Sequence, residues 1–181
     1  MRPLEQGAVT PLEKDMSTIA LFFFPFALAL AASTDLLTMR ISNKLVLLLV
    51  AGFFIVAIAI SMPLQQLALH VSTALVVLVA GFALFALRWI GGGDAKLAAA
   101  TTLWLGFGLT VPYLVYSALL GGVLTLFILS LRRLPLTPFI ARYRWLERLH
   151  DRKSGVPYGI ALAIAGILTY SNSAIFERLS V

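Results

Sequence analysis

Residues 45–87 read LVLLLVAGFFIVAIAISMPLQQLALHVSTALVVLVAGFALFAL, 43 positions with no aspartate, glutamate, lysine or arginine. A helix needs about 20 apolar residues to cross a bilayer, within a range of roughly 17–25. The stretch is long enough for two crossings if the chain turns between them. Ser61-Met62-Pro63-Leu64-Gln65-Gln66 supplies that turn, because proline lacks a backbone donor and breaks a helical ladder. Three further uncharged stretches flank this one: Met16–Thr34 (19 residues), Leu97–Leu131 (35) and Ser154–Phe176 (23). The 35-residue stretch also holds two crossings, with Gly106-Phe107-Gly108-Leu109-Thr110-Val111-Pro112 as its break. The reading is six helices, near 18–34, 44–61, 65–89, 95–110, 112–131 and 156–172, the fourth being the shortest.

Backbone groups in hydrocarbon must bond within the protein, which favours helices. A transmembrane barrel would need alternating ten-residue segments, and none is present. The expected fold class is therefore all-α, a polytopic membrane protein of about six transmembrane helices. Composition agrees. Of the 181 residues, 60% are hydrophobic and 12% charged, against about 25% charged in a soluble domain. The chain has no cysteine, which excludes disulfides, thiolate-bound metal and a thiol nucleophile. His70 and His150 are its two histidines, too few for a histidine-based metal centre. No metal or cofactor site is expected.

The 14 Lys and Arg against 8 Asp and Glu give a net charge of +6. In so apolar a chain this excess points to membrane lipid and the inner membrane surface, not to nucleic acid. Its placement gives an orientation. Arg40 and Lys44 follow helix 1, Arg88 and Lys96 join helices 3 and 4, and Arg132, Arg133, Arg142, Arg144, Arg148, Arg152 and Lys153 join helices 5 and 6. That puts 11 basic residues on one side and three (Arg2, Lys14, Arg178) on the other. The positive-inside rule makes the first side cytoplasmic and both termini non-cytoplasmic. In the last of these loops, about 132–155, Phe139, Ile140, Tyr143, Leu146 and Leu149 recur at helical spacing among arginines. It reads as a basic amphipathic segment on the inner leaflet. Residues 1–16 read as a polar tail, and 17–176 as a single membrane-embedded domain. Ala27–Ser33 looks like a signal-peptidase site, but the residues before it are mixed in charge (Glu5, Glu13, Lys14, Asp15), so retention is expected.

Six of the eight acids lie in the tails or the basic loop. Asp35 and Asp94 instead abut apolar spans at the cytoplasmic end. An acid at membrane depth is costly and marks a functional candidate; the plainer reading is a helix cap at the headgroup level. Asp94 follows Gly91-Gly92-Gly93, an expected irregular segment that glycine makes conformable. Asp94 is then placed to cap helix 4, and Asp35 to close helix 1.

Gly91-Gly92-Gly93-Asp94 resembles the GxGD motif of intramembrane aspartic proteases. Asp35 with Arg40-Ile41-Ser42-Asn43 resembles the Asp-x4-Arg-turn-Asn segment of type IV prepilin peptidases, and Gly155-Val156-Pro157-Tyr158-Gly159-Ile160-Ala161 resembles the start of that family's last conserved helix. The resemblance spans about residues 17–172. It implies a membrane aspartic endopeptidase with Asp35 and Asp94 as the catalytic pair. Gly91, Gly92, Gly93, Lys96, Arg40 and Asn43 would be the supporting motif. The substrate it implies is a prepilin-type precursor, cut between a short basic leader and an apolar helix at the cytoplasmic face. Larger members carry a cysteine-rich zinc domain and also N-methylate the product. The absence of cysteine here resembles the short, peptidase-only form of tight-adherence pili or archaeal preflagellins, so methyl transfer is not expected. Presenilin-like members place tyrosine before the first aspartate, where this chain has Thr34.

Two neighbouring carboxylates cannot both ionise easily, so they share a proton, one acting as base and the other as acid. Helix dipoles favour the anion at Asp94, near a helix N-terminus, over Asp35 at a C-terminal end. Two other readings stay open at this stage. One is an ion or metabolite carrier with a paired-aspartate cation site. The other is a structural subunit of a pilus or secretion machine, packing through Gly81 and Gly121-Gly122.

Overall fold

A computed structural model describes residues 11–135, 143–152 and 154–180, with side chains from residue 17 onward. Among these residues all regular structure is helical, in eight helices. They are α1 (Pro11–Thr38), α2 (Asn43–Ala59), α3 (Leu64–Ala86), α4 (Gly92–Leu105), α5 (Phe107–Leu131), α6 (Arg144–His150), α7 (Gly159–Tyr170) and α8 (Ala174–Ser180). The expected tail 1–16 is already helical from Pro11. Of the amphipathic segment, Phe139, Ile140, Arg142 and Lys153 lie outside the described residues, and the rest contains the two-turn α6.

Among the described residues, three helices are long and apolar enough to cross a membrane: Ser17–Thr38, Leu64–Ala86 and Phe107–Leu131. A fourth is reached if α7 and α8, bent by 56° at their break, count as one. That is fewer than the about six transmembrane helices expected: α2 is apolar but has 17 residues, and α4 is cut short for a physical reason. The expected span 95–110 ends early, at Gly106, where φ is +74°; Pro112 lies inside α5. This leaves α4 with 14 residues, nine of them buried. It is the central element, wrapped by α2, α3, α5 and α7. α3, by contrast, buries only His70, Thr73 and Gly81. The outward faces of α2, α3 and α5 carry Ile55, Ile58, Val76, Val79, Val123 and Leu126, each about two-thirds exposed or more. Soluble monomers rarely expose apolar surface on this scale. With the long apolar helices, it marks an integral membrane protein.

Bonds across helices fix the centre. The Trp104 indole Nε1 donates to the Leu49 carbonyl at 2.9 Å. His70 Nδ1 lies 2.7 Å from the Leu103 carbonyl, with its ring stacked on Phe53. Both hold the C-terminal turn of α4, leaving its N-terminal turn at the opposite end of the bundle. Phe24, Leu28, Phe53, Leu97, Trp104, Tyr113 and Tyr170 form the core. Ala27, Leu28 and Ala31 are part of it, so cleavage at the Ala27–Ser33 segment would strip a helix from the core. Of the predicted packing glycines, Gly81 lies against Ala95 and Gly121 against the Tyr158 ring, whereas Gly122 faces open space.

Candidate active site

Four backbone segments converge at the end of the bundle opposite Gly106: the end of α1, the α1–α2 turn, the start of α4 and the segment leading into α7. Asp35 lies in the last turn of α1. Met39 then takes a positive φ of 55°, and the chain reverses into α2, whose cap Ser42 accepts from the Lys44 N–H at 3.2 Å. Across the bundle, Leu87–Gly91 joins α3 to α4, with Arg88 at φ 62°. The cap of α4 is Gly91, so Asp94 sits three residues into the helix, not at the capping position. Its carboxyl folds back over the start of its own helix, with Oδ2 beside Gly91.

The three glycines serve close approach rather than unusual backbone, since none has a positive φ. A Cβ on Gly91 would lie 2.7 Å from Asp94 Oδ2. One on Gly92 would meet the Phe85 ring at 3.3 Å, and one on Gly93 would meet Ile41 Cβ at 3.2 Å. Gly93 thus lets α4 close against the α1–α2 turn, which carries the two aspartates to one place.

Asp35 and Asp94 line a single cavity of about 270 Å³ with Met39, Ile41, Gly91, Gly93, Gly155 and Val156. Asp35 is 5% exposed, and its Oδ2 accepts the Gly159 backbone N–H at 2.8 Å. That donor is the first residue of α7. A Cβ on Gly159 would lie 2.7 Å from the same oxygen. The dipole asymmetry expected from sequence therefore loses its ground: Asp35 ends α1 but also faces the N-terminus of α7.

The other predicted site residues divide. Lys96 Nζ donates to Asn43 Oδ1 at 3.1 Å on the surface, tying α4 to α2 outside the cavity lining. Arg40 is exposed and lines an adjoining groove with Thr38, Met39, Arg148, Ser154 and Gly155. Gly92 contacts Phe85 instead of the cavity. Sequence reasoning missed Gly159 as a site residue, although it lies within Gly155–Ala161. It also counted Arg132 as one more loop charge. Arg132 is 9% exposed; its Nε donates to the Leu149 carbonyl at 2.7 Å, and one terminal nitrogen donates to the Ser154 and Gly155 carbonyls at 2.9 Å each. It clamps the segment that supplies Gly155 and Val156 to the cavity wall. Nothing local in the sequence separates it from Arg133, because its partners are carbonyls 17 to 23 residues away. Among the described residues no group of three or more His, Cys, Asp or Glu could hold a metal ion.

A family model described as the type IV leader peptidase family matches residues 22–126, a span that contains Asp35 and Asp94 but ends before Gly159. No curated protein and no solved structure matches the chain.

Proposed function

The chain belongs to the type IV leader peptidase family, and from that premise we propose that it is a membrane aspartic endopeptidase. It removes the short basic leader of a prepilin-type precursor, with Asp35 and Asp94 as the catalytic pair. The observation that carries this reading is their presence in one cavity, brought there from separate helices. The long-range Gly159 bond to Asp35, and Gly91 and Gly93 before Asp94, are organised about that cavity.

The chemistry follows from two carboxyls sharing one proton. The ionised member takes a proton from water as the water oxygen attacks the scissile carbonyl. The protonated member gives its proton to the carbonyl oxygen, forming a gem-diol. Collapse of the gem-diol breaks the C–N bond, with a proton delivered to the leaving nitrogen. The Gly159 N–H, bonded to Asp35 Oδ2, holds that carboxyl in a fixed orientation for the exchange. A cavity of about 270 Å³ is just below the usual size of ligand sites, roughly 300–1,000 Å³. It suits a short extended peptide, so the substrate helix must unwind at its end before cleavage.

In this reading the chain crosses the plasma membrane six times, with α4 and α7 as short interior crossings shielded from lipid by their neighbours. The aspartate cavity then faces the cytoplasm, on the side bearing 11 of the 14 basic residues, and both termini lie outside. Co-expression with candidate prepilins tests the function by the gel shift that accompanies leader loss. Asp35→Ala and Asp94→Ala should each abolish processing at unchanged membrane levels. Processing that survives either change defeats the enzyme reading, and ion-dependent uptake lost on the same changes would favour a carrier.

A further inference from the structure

Three hydroxyls lie deep between α4, α5 and α7 without a hydrogen-bond partner: Thr101 Oγ1, Tyr113 Oη and Ser117 Oγ. The residues are 0%, 0% and 3% exposed. Most threonine and serine hydroxyls in the described helices bond back to a carbonyl of their own helix, as Thr102, Thr110, Thr125 and Thr169 do. Thr101 and Ser117 do not. The hydroxyls of Thr101 and Ser117 are near enough to that of Tyr113 to interact with it, yet none reaches another at bonding geometry. Buried polar groups held close but apart, each lacking a partner, are the setting in which a bridging water is favourable. Tyr170 Oη is also buried and unpartnered, but its ring is packed by Phe24, Trp104 and Phe176. A water there would lack the two to four polar contacts that hold one.

The cluster is placed relative to the aspartates. Thr101 follows Asp94 by seven residues of α4, two turns along the same face and about 10 Å deeper. Tyr113 and Ser117 lie one turn apart on α5, and the Ser117 carbonyl accepts the Tyr158 hydroxyl at 3.0 Å. Tyr158 in turn immediately precedes Gly159, the donor to Asp35. A Cβ on Gly166 would meet Thr101 Cγ2 at 3.0 Å, so α7 closes the remaining side.

We propose that Thr101, Tyr113 and Ser117 bound a buried hydration site beneath the aspartate cavity, which supplies water to the pair when a substrate fills the cavity mouth. The role rests on the peptidase reading; the site itself does not. Peptide hydrolysis consumes one water per bond, and a polypeptide lying across the cavity blocks entry from the cytoplasm. Water on the inner side of the aspartates escapes that block.

X-ray hydroxyl-radical footprinting of the purified chain in lipid nanodiscs reads the site directly, because bound water yields radicals that modify the adjacent side chain. Tyr113 should be modified at least tenfold faster than Tyr170, although both are buried. Equal rates would overturn the proposal. Thr101→Val combined with Ser117→Ala should slow Tyr113 modification and lower kcat for prepilin cleavage three- to tenfold at unchanged KM. An unchanged kcat would remove the supply role. Asp94→Asn separates the two readings: Tyr113 modification should persist while cleavage is lost. Cleavage that continued there would refute the catalytic pair and leave the footprinting result to stand.

Discussion

Gly159→Ala is the sharpest perturbation of the site, because the added methyl group is aimed at one atom. Its Cβ would sit 2.7 Å from Asp35 Oδ2 and 3.0 Å from Ile41 Cδ1, against an ordinary contact of 3.4 Å or more. The carboxyl must therefore retreat by about 0.7 Å, stretching the 2.8 Å bond from the Gly159 N–H. A misplacement of about 1 Å costs on the order of 100-fold in rate, so roughly 10- to 100-fold is expected in kcat, or about 1.4–2.7 kcal/mol. Overpacking should also lower stability, by about 1–3 kcal/mol. The assay is cleavage of a purified prepilin in detergent or nanodiscs, with kcat normalised to folded protein and Tm measured in parallel. Gly52→Ala is the control: its Cβ would strike the Phe23 ring, remote from both aspartates. It should lower Tm without changing normalised kcat. Gly155→Ala adds a methyl group in open space and should leave Tm unchanged. A Gly159→Ala protein with full kcat, or a Gly52→Ala protein equally slowed, would refute the argument that Gly159 positions Asp35.

Four other outcomes are expected. Arg132→Ala leaves three carbonyls without their charged donor and should destabilise the fold by about 3 kcal/mol, read as a fall in Tm; Arg132→Lys should recover only part of it, since an ammonium cannot reproduce the planar fork. Gly106→Ala must place a side chain at φ +74° and 2.8 Å from His70 Cε1, so a loss of about 1–3 kcal/mol is expected, again from thermal unfolding. Lys96→Met removes one exposed bond to Asn43; the change should fall within about 0.5 kcal/mol and leave cleavage within a few-fold of wild type. The absence of cysteine permits single-cysteine mapping in spheroplasts: Ser171→Cys should react with an impermeant maleimide from outside, and Arg152→Cys only after permeabilisation, whereas the reverse pattern would invert the proposed orientation.

Much of the fold was legible because hydrocarbon imposes a simple rule. The long charge-free stretches gave α1, α2, α3 and α5, and the turns after Ile60 and at Gly106 fell within the predicted breaks. Lengths at α4 and α7 were not legible. Ala99-Ala100-Thr101-Thr102 has the same uncharged character as a lipid-facing span, yet it is buried among other helices. Hydropathy measures how apolar a segment is and carries no information on what covers it. The break was drawn too wide for a related reason: it ran from Gly106 to Pro112, but Pro112 sits within α5, and Gly106 alone makes the turn.

For the site, the identities of Asp35 and Asp94 came from the sequence. An acid beside an apolar span is conspicuous when only eight acids are present, and the glycine run marked one of the two. Their meeting was a matter of tertiary structure. Fifty-nine residues separate them, and it is the approach of Gly93 to Ile41 that brings them to one cavity. The Gly159 donor, the Arg132 clamp and the hydroxyl cluster below Asp94 belong to the same class. Each depends on backbone or side-chain groups from distant segments, and a carbonyl or N–H is the same in every residue but proline. Composition and charge pattern set where the chain can reside; which groups touch there is decided by packing.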